Sequence, residues 1–274
     1  MELSGDATAD ALGPVSSGHM SSRAGISSGH MEDQRQILVL AHPRDELAIL
    51  EGHIKAQSRP GQTMAVLEAG CGREWYFRME GIDYELTGID LDAEALKARQ
   101  EIKKDLTHGI VGDLRTAQLP AATFDLVYNA YVLEHVAGAE LVLRNMVHWL
   151  KPGGLLIVRV PDKDSVQGFL ARTTPHFFHV WYYRWVWKLK DAGKPGFAPY
   201  PTVYDEVISR AGMRDFCAAN GLAILEEIGL GTYRRGHGLL AKLTPFIARM
   251  VSLLTLGKVH DKYVDRTLVA RKVA

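Results

Sequence analysis

Glu68, Gly70 and Gly72 close a short apolar run, Met64-Ala65-Val66-Leu67, with Cys71 between the two glycines. Glycine serves where a backbone leaves a strand sharply and a ligand must approach without a Cβ in the way. Amide N–H groups just beyond such a turn can face the ligand. Asp90 ends a second strand-like run, Tyr84 to Ile89, and follows Gly70 by 20 positions, the interval at which a carboxylate reaches a ribose diol. The chemistry implied is the binding of a nucleoside-bearing ligand at the edge of a sheet. A Gly-x-Gly pair occurs by chance often enough that these residues alone do not decide which ligand.

Three later features narrow the choice. Gly112-Asp113-Leu114 follows the apolar pair Ile110-Val111, so Asp113 falls at the end of a third strand. Phe124 to Asn129 reads as a fourth strand and runs into Ala130-Tyr131-Val132-Leu133-Glu134-His135. Leu150-Lys151-Pro152-Gly153-Gly154 is a turn that opens the apolar run Leu155 to Val160. In this order and spacing, residues 60–160 resemble the class I S-adenosylmethionine-dependent methyltransferases. The resemblance is strongest to the small-molecule, methyltransferase type 11-like branch, with Leu-Glu-His after the fourth strand and Leu-Lys-Pro-Gly-Gly before the fifth.

That resemblance implies a Rossmann-like, doubly wound α/β fold with a seven-stranded sheet whose last strand is antiparallel. It also implies S-adenosylmethionine as cofactor and S-adenosylhomocysteine as product. Asp90, with Leu91 beside it, would hold the ribose hydroxyls, and Asp113 the adenine amino group with Leu114 against the ring. Gly70, Cys71 and Gly72 would give the backbone approach to the methionine moiety. Glu68 would order the turn and the amino group, while Asn129 and Ala130 offer backbone groups. Two departures are visible. Glu74 replaces the third glycine and is followed by Trp75, Tyr76 and Phe77, and only 16 positions separate Gly72 from Gly88. A first helix of about two turns is all that fits. Some relatives bind a divalent ion through Glu-x-x-Glu-His; Tyr131 takes the place of the first Glu, and no metal is expected.

The function expected is methyl transfer to an oxygen of the acceptor, with transfer to nitrogen, or a non-catalytic S-adenosylmethionine-binding scaffold, as the alternatives; an alcohol or phenol must lose a proton near the transition state. His135 is the first candidate base, and His176 and His179 compete from an aromatic segment further on. That segment, residues 162–204, holds eleven of the chain's 8 Phe, 5 Trp and 10 Tyr. It follows the fifth strand, at the edge where open α/β sheets bind ligands. It reads as a substrate lid, with Tyr131, Phe178, Trp181, Tyr182 and Tyr200 as acceptor-binding residues, and a satellite core or dimer face as the alternative.

The elements that must position these residues follow from apolar periodicity. Helices are expected over Asp45–Ala56, Ala93 to about Lys104 behind an Asp92 cap, Glu140–Leu150 and Ser209–Asn220. Strands are expected at Ala223–Ile228 and Thr267–Arg271. Between these two strands lies a helical insertion, residues 231–265, with an apolar stretch from Leu239 to Leu256 broken by Pro245, Lys242 and Arg249. Those breaks argue against a membrane span. A pocket wall or an oligomer face is the stronger reading, with peripheral membrane contact left open.

The 274 residues, 47% hydrophobic and 23% charged, suffice for one large domain over 35–274. Lys+Arg and Asp+Glu are both 32, so no global field favours nucleic acid. Two cysteines without metal spacing, and no secretory pattern, fit a reducing cytoplasm. Residues 1–34 are Ser- and Gly-rich and repeat Ser-Ser-Gly-His-Met, as a disordered tail or an expression-vector scar would. The partner expected is a small apolar acceptor, with homodimerisation left open.

Overall fold

The computed structural model describes residues 36–185, 188–194, 202–231, 239–256 and 258–273. The centre of the sheet is made by strands whose side chains are buried on both faces, as near-continuous apolar runs in a parallel sheet require. These are β2 (Met64–Ala69), β3 (Tyr84–Asp90), β5 (Phe124–Ala130) and β6 (Leu150–Pro161). The remaining strands are β1 (Leu38–Leu40), β4 (His108–Val111), β7 (Leu222–Leu230) and β8 (Asp265–Lys272). Their order is β1-β7-β8-β6-β5-β2-β3-β4. β8 is antiparallel to both neighbours, and every other pairing is parallel.

The doubly wound sheet with its antiparallel last strand is therefore present, with one strand more than the seven expected. The additional β1 pairs Leu38 with Ile228 and Leu40 with Leu230 at the open edge of β7. Three residues are too few to display a period of two, and an edge position leaves Leu38 and Val39 exposed.

Helix α1 (Pro43–Gln57) starts with proline in its first turn, where a missing N–H costs nothing. It buries Leu50 and Ile54 against the sheet. α2 (Ala93–Lys97) is capped by Asp92, whose Oδ1 accepts from the Ala95 N–H at 3.0 Å. It widens into a π-helical turn over Ala98–Lys103, which a left-handed Lys104 ends. α3 (Ala139–Trp149) precedes β6.

The short helix expected after Gly72 is absent: no helix lies between β2 and β3. Trp75 and Phe77 stand two apart, and side chains with that spacing share a face only in extended chain. Both pack edge-on against Tyr128, with ring centroids 5.9 and 4.7 Å away. An aromatic strap thus fills the layer that a helix would have covered.

The described parts of both insertions contain helices. The first contains α4 (Val166–Thr173), capped by Ser165, and α5 (His176–Trp185); α6 (Arg210–Ala219) follows it and precedes β7. The second contains α7 (Leu239–Leu254), with Pro245 inside it. They meet in a small core of Val166, Ala248 and Val259, flanked by Phe169 and Val251. At its outgoing root the first insertion is tied to the chain just before β8. The Asp162 N–H donates to the Val264 carbonyl at 2.7 Å and the Val166 N–H to the His260 carbonyl at 2.9 Å. At its returning root, the Val203 N–H donates to the Glu134 carbonyl at 2.8 Å. Asp205 Oδ2 there accepts from the N–H groups of Gly138 and Ala139, both at 2.8 Å, and so caps α3. Among the described residues no helix is long and apolar enough to cross a membrane.

Candidate active site

The carboxyl ends of β2, β3, β4 and β5 converge on one edge, and each delivers a residue singled out by type and spacing. The chain leaves β2 at Gly70 with φ +76° and passes Gly72 with φ +52°, both in the left-handed region that favours glycine. The Gly70 N–H donates to the Ile89 carbonyl at 2.8 Å, which fastens the turn to β3. A Cβ at Gly70 would sit 2.3 Å from Cγ2 of Val132, whereas one at Gly72 would meet nothing within 4 Å. The turn is packed beneath and open above. Gly70→Ala should therefore cost about 1–3 kcal/mol of stability and weaken ligand binding at the turn. Chemical denaturation and ligand titration would check this; an alanine variant of unchanged stability would contradict the packing described.

Asp90 lies between the turn and the next helix. Its Oδ2 accepts from the Gly72 N–H at 2.8 Å and its Oδ1 from the Asp92 N–H at 2.9 Å. A carboxylate has about four acceptor positions, so capacity remains for a diol. Leu91 beside it is exposed and Leu114 is buried. Asp113 is gripped by Arg115, whose Nη2 is 2.5 Å from Oδ2 and whose backbone N–H is 2.9 Å from Oδ1. These hydrogen bonds hold the Asp113 carboxyl down at about 2.

Glu68 serves the turn indirectly. Its Oε2 is 2.9 Å from Nη1 of Arg99, and both side chains are buried. The same Nη1 donates to the Cys71 carbonyl at 3.0 Å, and Nε donates to Asp105 at 2.8 Å. Burial pushes the Glu68 carboxyl above the usual carboxylate range, and the Arg99 guanidinium works against it. Arg99 was not anticipated from sequence. Its signal was there, since it lies on the inward face of α2 and its π-helical extension with buried Ala95 and Leu96. A charge at an apolar position asks for a buried partner.

Asn129 is fully buried and its amide donates to the Ala69 carbonyl at 2.7 Å, tying β5 to the turn. Its Oδ1 has no partner among the described residues. Ala130 closes the strand and Tyr131 adopts φ +57°, with the Arg159 guanidinium 5.2 Å from its ring centre. Next comes a single 3₁₀ turn, Leu133–His135. Glu134 within it is buried; Oε1 lies 3.7 Å from Nε2 of His135, and Oε2 has no hydrogen-bond partner among the described residues. Burial pushes its carboxyl up to about 8. Sequence reading weighed Glu134 only as half of a metal site. Among the described residues no group of three or more His, Cys, Asp or Glu side chains is gathered as metal ligands would be.

The lid residues are distributed differently. His176, His179 and Tyr182 are on α5, and Tyr200 lies outside the described residues. Phe178 and Trp181 are on exposed positions of α5. The structure thus brings together Glu68, the glycine turn, Asp90 and Asn129, with Ala130 next along the chain; His135 is linked to Glu134. An open groove on α5, lined by Phe177, Val180, Trp181, Arg184, Trp185 and Gly193, is a separate feature.

Residues 67–158 match the model of a methyltransferase-domain family. The chain is 27% identical over 190 residues to a ubiquinone biosynthesis O-methyltransferase of Maricaulis maris, covering 62% of this chain and 74% of that one. It is 29% identical over 114 residues to a phosphoethanolamine N-methyltransferase of Triticum aestivum, covering 39% of this chain but only 23% of that protein's length. Among solved structures, an S-adenosylmethionine-dependent methyltransferase of Mesorhizobium loti superposes with TM-score 0.51 at 18% identity, over 80% of this chain and 96% of its own. At that identity the superposition speaks for the fold alone.

Proposed function

We propose that this chain, a class I S-adenosylmethionine-dependent methyltransferase of the type 11-like branch, transfers a methyl group to an oxygen of a small, largely apolar acceptor. The observation that supports the reading most is the glycine turn: closed to a Cβ at Gly70, open at Gly72, and flanked by the Asp90 carboxylate. These residues fit the cofactor, which when bound supplies a methyl group already activated on a sulfonium.

Asp90 receives the ribose hydroxyls, and Asp113 the adenine amino group with Leu114 and Leu91 about the ring. Cys71 and Gly72 offer backbone at the amino-acid end. Glu68 acts through Arg99, which fixes the Cys71 carbonyl. The remaining tasks of the protein are alignment of the acceptor and exclusion of water, which together can supply roughly 7–11 kcal/mol of barrier reduction. His135 takes the acceptor proton, with the Glu134 carboxyl 3.7 Å from its Nε2. Residues 162–204 close over the acceptor as a lid, with His176 and His179 on it. Tyr131, Phe178, Trp181, Tyr182 and Tyr200 contact the acceptor.

The relatives' names include oxygen, nitrogen and carbon methyltransferases; a base at His135 suits an acceptor that must lose a proton, and an oxygen acceptor is the reading taken. Release of S-adenosylhomocysteine in the presence of a phenol, fatty-acid and amine panel tests the reading; methylation of amines alone would overturn the oxygen assignment. Asp90→Ala should weaken S-adenosylhomocysteine binding about 10- to 100-fold, as expected when hydrogen bonds to a charged group are lost. Calorimetric titration measures it, and an unchanged affinity would remove Asp90 from the site.

A further inference from the structure

Helix α7 is built inside out. A helix on the surface of a globular protein turns its large apolar side chains to the core. α7 instead buries Ala248 and Ser252, one turn apart, and presents Phe246, Met250 and Leu254 at the same helical interval to solvent. Phe246 is 66% and Leu254 77% exposed. α5, in the insertion that packs on it through α4, repeats the pattern with Phe177, Trp181 and Trp185. Such large side chains facing outward need a partner.

The charges around them say which. The chain as a whole is neutral, with 32 basic and 32 acidic residues. Yet the stretch from Ile228 to His260 contains five Lys or Arg and no Asp or Glu, and that from Ser165 to Lys190 contains four and none. Arg249, on α7 among the exposed apolar residues, is itself largely exposed with Asp261 at 3.5 Å. Aromatic and aliphatic side chains on one helix face, in segments whose charged residues are all basic until Asp191 and Asp261, are the composition of helices that lie in the plane of an anionic bilayer. A homodimer face built from like-charged segments would bring cation against cation.

We infer that the two insertions form a docking surface for an anionic phospholipid bilayer, with α7 lying in the interface and the α5 aromatics beside it. The inference rests on the proposed function only in one respect: an apolar acceptor dissolved in that bilayer would reach the lid without crossing water.

Co-sedimentation with vesicles tests it, using the full chain against phosphatidylcholine alone and against phosphatidylcholine containing phosphatidylglycerol. Binding should require the anionic lipid and should fall with salt. The triple variant Phe246→Ser/Met250→Ser/Leu254→Ser should lose about tenfold or more of the partitioning. Its heat shift with S-adenosylhomocysteine should be unchanged, because none of the three touches the cofactor site. Absence of sedimentation with anionic vesicles, or sedimentation that the triple variant retains, overturns the inference. So does a stable dimer in light scattering that the triple variant converts to monomer. A missing heat shift in the unsubstituted protein would instead strike the proposed function and leave the docking result to be read by itself.

Discussion

Replacing Arg99 by methionine is expected to destabilise the protein by about 3–5 kcal/mol, the loss typical when one member of a buried ion pair is removed. Three bonds go at once. Glu68 is left in the interior without its cation, Asp105 loses Nε, and the Cys71 carbonyl loses the donor that holds the glycine turn. The loss has a pH signature. Without Arg99 nothing opposes the upward push of burial on Glu68, so the folded variant retains a proton that the unfolded chain releases above the ordinary glutamate range. Glu68 is already pushed up to about 8 with Arg99 in place, so the two proteins lose stability in parallel up to that pH and the variant's deficit grows only as pH rises above about 8. Glu68→Leu on top of Arg99→Met should restore much of the stability, since apolar replacements of a buried pair are often neutral. Cofactor affinity should not return with it, because Cys71 would still be untethered. Guanidinium denaturation of the two single variants and the double variant decides the matter. A loss under 1 kcal/mol for Arg99→Met would mean that the turn is held by something else.

The second large effect is expected at Glu134. Its carboxyl is buried, Oε2 has no partner among the described residues, and its folded-state value is about 8. His135 at 3.7 Å is the nearest group of opposite character, and Asp265 adds to the upward push. The folded pKa lies above the unfolded one, so between about 4.5 and 8 the unfolded chain releases a proton that the folded chain keeps. Stability contributed by the neutral form is complete below the lower value and is lost as pH climbs through the upper one. Glu134→Gln cannot ionise and should escape this slope. Its stability relative to the unsubstituted protein should rise by about 2–4 kcal/mol across the window. Melting curves at half-unit intervals of pH would show it, and parallel curves would end this account of Glu134.

The parts of the molecule legible from sequence are those in which backbone geometry restricts the residue type. Gly70 and Gly72 are readable because the turn runs through positive φ, and Asp90 because a fixed strand length separates it from the turn. β5, β6 and β8 were legible because two-sided burial concentrates apolar residues in them, such as Leu126-Val127-Tyr128, Leu155 to Val158 and Leu268-Val269-Ala270. What escaped depends on contacts distant in sequence. Nothing near Arg99 reveals that Glu68, 31 positions away, is its partner. The strap of Trp75 and Phe77 took the place of a helix because Tyr128 on another strand receives their rings. β1 is a strand only because β7 offers an edge. The orientation of α5 and α7 escaped as well, because apolar periodicity marks a face without saying whether protein or something else covers it.

The first insertion leaves the sheet beside Val264 and His260, roughly a hundred positions further along the chain. A ribosome emits the glycine turn and Asp90 long before it emits the segment to which the first insertion is tied. The outgoing root of the first insertion therefore has nothing to hold until synthesis is nearly complete. Maturation then ends in a single late stitch, the insertion of β8 between β6 and β7.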